Sequence, residues 1–263
     1  MSLPAPDSNS TALVTGASSG IGAAMARQLA ERGHGVTLVA RNEDRLRALA
    51  EELSGDHGVR VEAVACDVTD PAARDRLQAQ VDGFGLRVDV LANNAGFGTY
   101  KAFAEIPRER LLEEVRVNTE AVADLTARWL PGMVERGAGA VLVTASTAGF
   151  QPLPGNALYA AVKSFALSFA EALHHEVKGQ GVSVTALCPG PVKSGFQDAS
   201  GAHDFASGLP KPLWRTPEQV AAAGLRGLER GKRVVVPGMP NRILAAVGRF
   251  SPRPVVLRVM DST

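Results

Sequence analysis

Short runs of Val, Leu and Ala alternate along this chain with longer segments of helical period, and that rhythm leaves few architectures open. The runs are ALVTG at 12 to 16, GVTLVA at 35 to 40, RVEAVACDV at 60 to 68, VDVLANNAG at 88 to 96, AVLVTAS at 140 to 146 and VSVTALCPG at 182 to 190. Helical patterns lie between them at 20 to 32, 43 to 53, 71 to 82, 108 to 136 in one or two pieces, and 156 to 178. Strands alternating with helices make βαβ units, and strands without a polar face belong to a parallel sheet covered on both sides. An α/β fold with a doubly wound parallel sheet follows. The chain has 263 residues with no compositional break or repeat, so it reads as a single domain.

After Pro189 the rhythm loosens. Residues 190 to 216 are rich in Gly, Pro, Ser and Lys and carry Phe196, Phe205 and Trp214; Pro217 then opens a helix to about Arg230, and KRVVVPG supplies a last strand. A loop of this length leaving the carboxyl end of a strand is read as a substrate lid, because open α/β sheets bind ligands at that edge. The organisation expected is a flexible N-terminus at 1 to 10, a catalytic domain at 11 to 239 with its lid at about 190 to 216, and a C-terminal extension at 240 to 263. In that extension Ile243, Leu244, Val247 and Phe250 form one apolar stripe flanked by arginines, expected to pack on the domain or on a second subunit rather than on a membrane. There it would help close the pocket or the oligomer interface.

Charge and composition exclude several classes. A net charge of +1 with no basic cluster leaves no footprint for nucleic acid. Cys66 and Cys188 lack metal-ligand spacing, so no metal site is expected and both read as reduced core thiols. MSLPAPDSNS has neither the basic region nor the apolar run of a signal peptide, and no stretch is long and apolar enough to be a transmembrane segment; a soluble, cytoplasmic protein is expected.

Two short stretches carry chemistry. TGASSGIG, Thr15 to Gly22, sits between the first strand and the first helix. Gly16 permits a tight turn, Gly20 and Gly22 admit close approach of a ligand, and the helix start offers free N–H groups to a pyrophosphate; Ser18, Ser19 and Ile21 complete the loop. ALYAAVKS, residues 157 to 164, stacks Tyr159 and Lys163 one helical turn apart. A phenol has a pKa near ~10, and a neighbouring cation favours its ionised form, so Lys163 is expected to tune Tyr159 toward acid/base work.

Taken in order, TGxxxGxG at 15 to 22, the CDV with Asp67 and Val68, NNAG at 93 to 96, Asn118, Ser146, YxxxK at 159 to 163, and the PG at 189 to 190 followed by Val192 and Ser194 resemble the short-chain dehydrogenases/reductases over roughly residues 10 to 236. The resemblance implies a Rossmann-type fold, a nicotinamide cofactor, a catalytic group of Asn118, Ser146, Tyr159 and Lys163, and a homodimer or homotetramer. It also implies that Lys163 binds the nicotinamide ribose, that Asn118 holds a relay water, that Asp67 lies near the adenine, that Asn94 and Gly96 approach the cofactor, and that Ser194, where Thr is commoner, meets the carboxamide end. Each residue has a plainer reading beside this one. Ser146 ends a strand, Asn118 can cap the helix NTEAVADLTARWL, Asp67 can hold a turn, and NNAG can pin the central strand. His174 and His175, after an apolar helical stripe, read as packing or solvent-facing.

Cofactor choice is read from TLVARNEDRL, which ends the second strand with Ala40 and Arg41 where an NAD enzyme carries an acid; Arg41, with Ser18 or Ser19, suits a 2′-phosphate, so NADP(H) is expected. Pocket walls are expected from Phe97, Tyr100, Phe150, Leu153, Phe196 and Trp214, beside Ser146, and they suit a medium-sized apolar ketone, aldehyde or alcohol. A 3-oxoacyl thioester is the alternative substrate class. A catalytically silent NADP-binding sensor or scaffold is the alternative function, and a methyltransferase-like Rossmann enzyme would leave YxxxK without a purpose.

Overall fold

The computed structural model describes residues 3–194 and 208–260. Seven parallel strands form one sheet in the order β3-β2-β1-β4-β5-β6-β7. They are β1 (Ser10–Thr15), β2 (Val36–Ala40), β3 (Val61–Ala65), β4 (Arg87–Asn93), β5 (Gly139–Thr144), β6 (Val182–Leu187) and β7 (Val234–Val235). The pleat sends alternate residues to opposite faces, and both faces are buried. From β1, Leu13 joins a cluster with Leu77, Leu125, Met133 and Ala170, contributed by α3 (Pro71–Gly83), α5 (Ala121–Arg136) and α6 (Ala157–Glu176). Its neighbours Ala12 and Val14 face a second cluster with Met25, Leu29 and Leu46 from α1 (Gly20–Glu31) and α2 (Glu43–His57), and with Val220 and Leu225 of the helix Pro217–Glu229. The doubly wound sheet thus follows from strands apolar on both sides.

Two outer strands are shorter than the sequence reading. The run RVEAVACDV pairs only through Val61–Ala65, mostly half-buried, and KRVVVPG contributes only Val234–Val235. An edge strand has one neighbour and fewer partners to hold its ends. The 108 to 136 segment comes in two helical pieces, within the expectation, joined by an irregular turn that the pattern did not show. The helix α4 (Arg108–Val115) runs into a π-turn, Arg116–Glu120, before α5 begins. Asn118 lies inside that turn and is no N-cap: its Nδ2 donates to the Glu114 carbonyl at 2.9 Å, one turn back, and to the Phe97 carbonyl at 2.9 Å. Buried Arg74 ties this region to α3 by donating to Glu120 Oε1 at 2.6 Å, to Asp124 Oδ2 at 2.5 Å and to the Val68 carbonyl at 2.7 Å.

The two ends of the segment after β6 are fastened to each other. Lys193 N donates to the Arg215 carbonyl at 2.9 Å and Arg215 N to the Pro191 carbonyl at 3.0 Å, beside a bridge between Val192 and Arg215. Buried Asn241, near the start of the helix Met239–Phe250, donates to the Leu213 and Pro237 carbonyls at 2.9 and 3.0 Å. A Cβ on Gly190 would stand 2.4 Å from Asn241 Oδ1, so glycine in the PG pair is what lets this helix approach. The same helix sets Gly248 against the Gln151 side chain. Its stripe Ile243, Leu244, Val247 and Phe250 does not pack on the domain: all four side chains are exposed, because Asn241, Ala245 and Gly248 occupy the inward face.

Candidate active site

Strand order reverses between β1 and β4, and the crevice at their carboxyl ends is where such sheets take ligands. The loop after β1 is shaped by its glycines. Gly16 and Gly20 have positive φ, and a Cβ on Gly22 would lie 2.2 Å from the Gly16 carbonyl oxygen, so no larger residue closes this turn. Thr15 Oγ1 accepts from the backbone N–H groups of Asn94 and Ala95 at 2.9 and 3.0 Å, and Asn94 Nδ2 donates to the Thr15 carbonyl at 3.1 Å. NNAG therefore clips the glycine loop to β4. Ser19 precedes α1 without capping it by its side chain, so the start of that helix is not closed by its own N-cap. Ser194 reaches the loop from the β6 side, 3.6 Å from where a Gly20 Cβ would stand. A cradle that only glycines permit, at a helix N-terminus, fits a dinucleotide pyrophosphate.

At the outer end of the cradle, Ser18, Ser19 and Gly20 line a surface groove of about 380 Å³ together with Arg27 and Arg45. Arg27 is paired with Glu52 at 2.6 Å, whereas the Arg45 side chain has no ion pair among the described residues. Arg41 is exposed and lies outside that lining. Arg45 is thus a second candidate for a phosphate, which the sequence reading missed; the only sign was its place one turn after Arg41 at the start of α2. Asp67 Oδ1 accepts from Thr69 N at 2.9 Å and Thr69 Oγ1 at 2.8 Å, which makes it a turn-former after β3, with buried Val68 beside it.

The proton-transfer candidates converge at the ends of β4, β5 and β6. Ser146 ends the β5 segment and caps the short 3-10 turn Thr147–Phe150, its Oγ accepting from Ala148 N at 3.1 Å. It also hydrogen-bonds the Tyr159 hydroxyl. Lys163 is 5% exposed, donates from Nζ to the Thr144 carbonyl at 2.9 Å and stands 5.7 Å from the Tyr159 ring centre. Asn118 is 1% exposed, and its Oδ1 accepts no hydrogen bond. A Cβ on Gly96 would lie 2.6 Å from that Oδ1 and 3.3 Å from Lys163 Nζ, so both polar ends face the same small gap beside Gly96.

The electrostatics correct one expectation. The Tyr159 ring keeps some access to solvent, yet its hydroxyl is enclosed, and that desolvation pushes the phenol up to about 12 despite the Ser146 hydrogen bond. Lys163 does not bring it down. Burial instead pulls the ammonium itself down to about 8, as its proton is held by one carbonyl in a dry setting. Tyr159 is accordingly a protonated donor at neutral pH. Glu114 was not foreseen at all. It is 1% exposed on α4, four residues before Asn118, and neither carboxylate oxygen completes a well-aligned hydrogen bond, although Thr99 lies close enough to ease its burial. Burial raises its own pKa, and its charge raises those of both Tyr159 and Lys163.

Among the expected pocket walls, Phe97 and Phe150 pack partly on the core, and the Arg110 guanidinium covers the Phe97 ring at 3.8 Å. Leu153 and Trp214 are half-buried, the indole donating to the Leu209 carbonyl at 3.4 Å, and Tyr100 lies against Gly155. Phe196 falls outside the described residues. His174 packs with Nδ1 2.8 Å from the Val184 carbonyl, and His175 is exposed. Cys66 and Cys188 are free and buried, pushed up to about 11 and about 12 by desolvation, and the described residues contain no cluster able to hold a metal.

Residues 10–204 match the family model described as short chain dehydrogenase. The very-long-chain 3-oxoacyl-CoA reductase of Bos taurus is 35% identical over 182 residues; the match covers 68% of this chain and 58% of that longer protein. A short-chain dehydrogenase from Sphingobium yanoikuyae, solved in complex with NADPH, superposes with a TM-score of 0.82 at 33% identity over 95% of each chain. The bulky-bulky ketone specific alcohol dehydrogenase from Comamonas testosteroni gives a TM-score of 0.76 at 29% identity, covering 88% of this chain and 87% of that one.

Proposed function

The chain belongs to the short-chain dehydrogenase family, and on that premise we propose that it is an oxidoreductase exchanging a hydride between NADP(H) and a carbonyl or alcohol substrate. Reduction of a medium-sized apolar ketone or aldehyde is the reaction favoured. One arrangement carries this reading: the Tyr159 hydroxyl beside Ser146, with Lys163 Nζ 5.7 Å from its ring centre, at the strand ends that also carry the glycine cradle.

NADP(H), when bound, supplies or accepts the hydride. Gly16, Ser18, Ser19, Gly20, Ile21 and Gly22 would hold its pyrophosphate, Arg41 or Arg45 its 2′-phosphate, Asp67 and Val68 its adenine side, and Asn94, Gly96, Val192 and Ser194 its nicotinamide half. Tyr159 gives the proton on Oη to the substrate oxygen as negative charge grows there, and Ser146 donates a second hydrogen bond to the same atom. Lys163 would hold the ribose, and with Asn118 Oδ1 it would line the route by which the phenol regains its proton. Support for NADP(H) comes from the Sphingobium relative, and support for a ketone from the Comamonas enzyme.

Assaying the purified protein with NADPH and NADH against ketones, aldehydes and 3-oxoacyl thioesters tests the reading. A Tyr159→Phe variant should keep cofactor binding and lose about 10²- to 10⁴-fold in turnover. Equal turnover of the two proteins would favour a silent dinucleotide sensor instead. Similarity to the bovine reductase favours 3-oxoacyl thioesters as the second substrate class. No helix among the described residues is long and apolar enough to cross a membrane. We place the protein in the cytoplasm as a homodimer or homotetramer, with the exposed Phe165 of α6, stacked on Phe169, as one subunit contact.

A further inference from the structure

The C-terminal helices turn an apolar face outward. Met239, Ile243, Leu244, Val247, Phe250 and Val255 are each between 51% and 80% exposed, while the opposite face of the first helix is seated on the domain. Residues 239 to 260 also contain Arg242, Arg249, Arg253 and Arg258 and neither Asp nor Glu. That segment carries four positive charges in a chain of net +1, so the remainder is net −3. The imbalance decides between occupants. Pairing with a second copy about a two-fold axis would set one arginine-rich strip against another, and residues 239 to 260 offer no Asp or Glu of their own to pair across it. Glu171, on α6, is shared by Arg233 at 3.0 Å and Arg249 at 3.4 Å. A surface of anionic headgroups over an acyl layer answers both features, taking the apolar side chains inward and the guanidinium groups at the phosphates.

We propose that the helices Met239–Phe250 and Arg253–Met260 dock the protein on an anionic lipid surface. Docking places the rim of the site at the bilayer, because the first helix lies against the Thr147–Phe150 turn behind Ser146 and Asn241 fastens it to Leu213. An apolar substrate dissolved in the membrane then has a short path to that rim. The docking itself goes beyond the proposed activity and does not depend on it.

Co-sedimentation of the full chain with vesicles tests this without any turnover measurement. Wild type should pellet with vesicles of phosphatidylcholine and phosphatidylglycerol, stay in solution with phosphatidylcholine alone, and be released by high salt. The triple variant Ile243→Ser, Val247→Ser, Phe250→Ser should lose more than about tenfold in partitioning. These three side chains are exposed, so an unchanged thermal midpoint and cofactor binding serve as the folding control. Failure of wild type to pellet, equal binding to both vesicle types, or equal binding by the variant would overturn the proposal. So would a dimer in light scattering that the triple variant dissociates, since the strip would then be a subunit contact.

Discussion

Replacing Lys163 by methionine should abolish turnover yet relieve the folded protein of a strain that depends on pH. Burial brings the ammonium from 10.5 to about 8, with Cys188 and Glu114 offsetting only part of that fall. A gap of roughly 2.5 pH units at about 1.4 kcal/mol each is about 3 kcal/mol of stability lost whenever the group is charged. The sign follows from proton counts. Between about 8 and 10.5 the unfolded chain binds the proton and the folded chain does not, so stability rises with pH through that window. The penalty is therefore full below about 8 and vanishes above about 10.5. Methionine has nearly the same length and no charge to desolvate. It also forfeits the bond to the Thr144 carbonyl, worth about 1.5 to 3 kcal/mol when the donor is charged, so the net gain at neutral pH is smaller than the electrostatic part alone. The pH dependence is the cleaner signal. Urea unfolding of both proteins at pH 7 and pH 10, extrapolated to water, should give a stability difference that changes by about 2 to 3 kcal/mol between the two conditions. Other titrating groups cancel in the subtraction. A difference that stays constant across that range would show that Lys163 is not held against its solvation, and the electrostatic account of the site would fail with it.

Glu114→Gln should move the alkaline limb of the pH–rate profile downward, since the carboxylate raises the pKa of Lys163; an unmoved limb would mean that Glu114 carries no charge in the working enzyme. Arg41→Ala and Arg45→Ala should each weaken NADPH binding by more than NADH binding if they share the 2′-phosphate, and titration of both cofactors against both variants tells which guanidinium dominates; equal losses for the two cofactors would remove the phosphate assignment. Asn241→Ala strips two buried carbonyls of their donor, so it should cost about 2 to 3 kcal/mol of stability in urea titrations and raise KM as the anchorage of Leu213 to the C-terminal helix loosens. Unaltered stability and KM would show that the C-terminal helix does not brace the Leu213 segment.

Much of the site was legible because local chemistry wrote it. Gly16 and Gly22 announce a turn that tolerates nothing larger, and Tyr159 and Lys163 sit at the spacing that stacks them on one helix. The sheet was legible because strands buried on both faces cannot disguise themselves with polar residues. What the sequence concealed depends on distant partners. Asn118 looks like a helix cap until the Phe97 carbonyl is brought to it by the loop after β4. Glu114 reads as one more acid in an ERLLEEV run, and only the fold, which buries it within electrostatic reach of Lys163 and Tyr159, reveals its setting. The sign of the Tyr159 shift was missed for the same reason: spacing shows that a cation is near, and says nothing of how dry the neighbourhood is. Arg74 illustrates the limit in reverse, a surface-looking residue of α3 that becomes a hub once α5 arrives with Glu120 and Asp124.

The π-turn at Arg116–Glu120 means that the long helix carries one surplus residue relative to an ideal spiral. Deleting a single residue there would let the backbone relax into unbroken α geometry with the flanking turns in phase, and only the side chains inside the turn would change direction. A shortened chain of that kind could form a more regular helix and yet aim its asparagine away from Lys163. At this point tidiness of the backbone and alignment of the reacting groups pull in opposite directions, and the fold has settled for the irregular spiral.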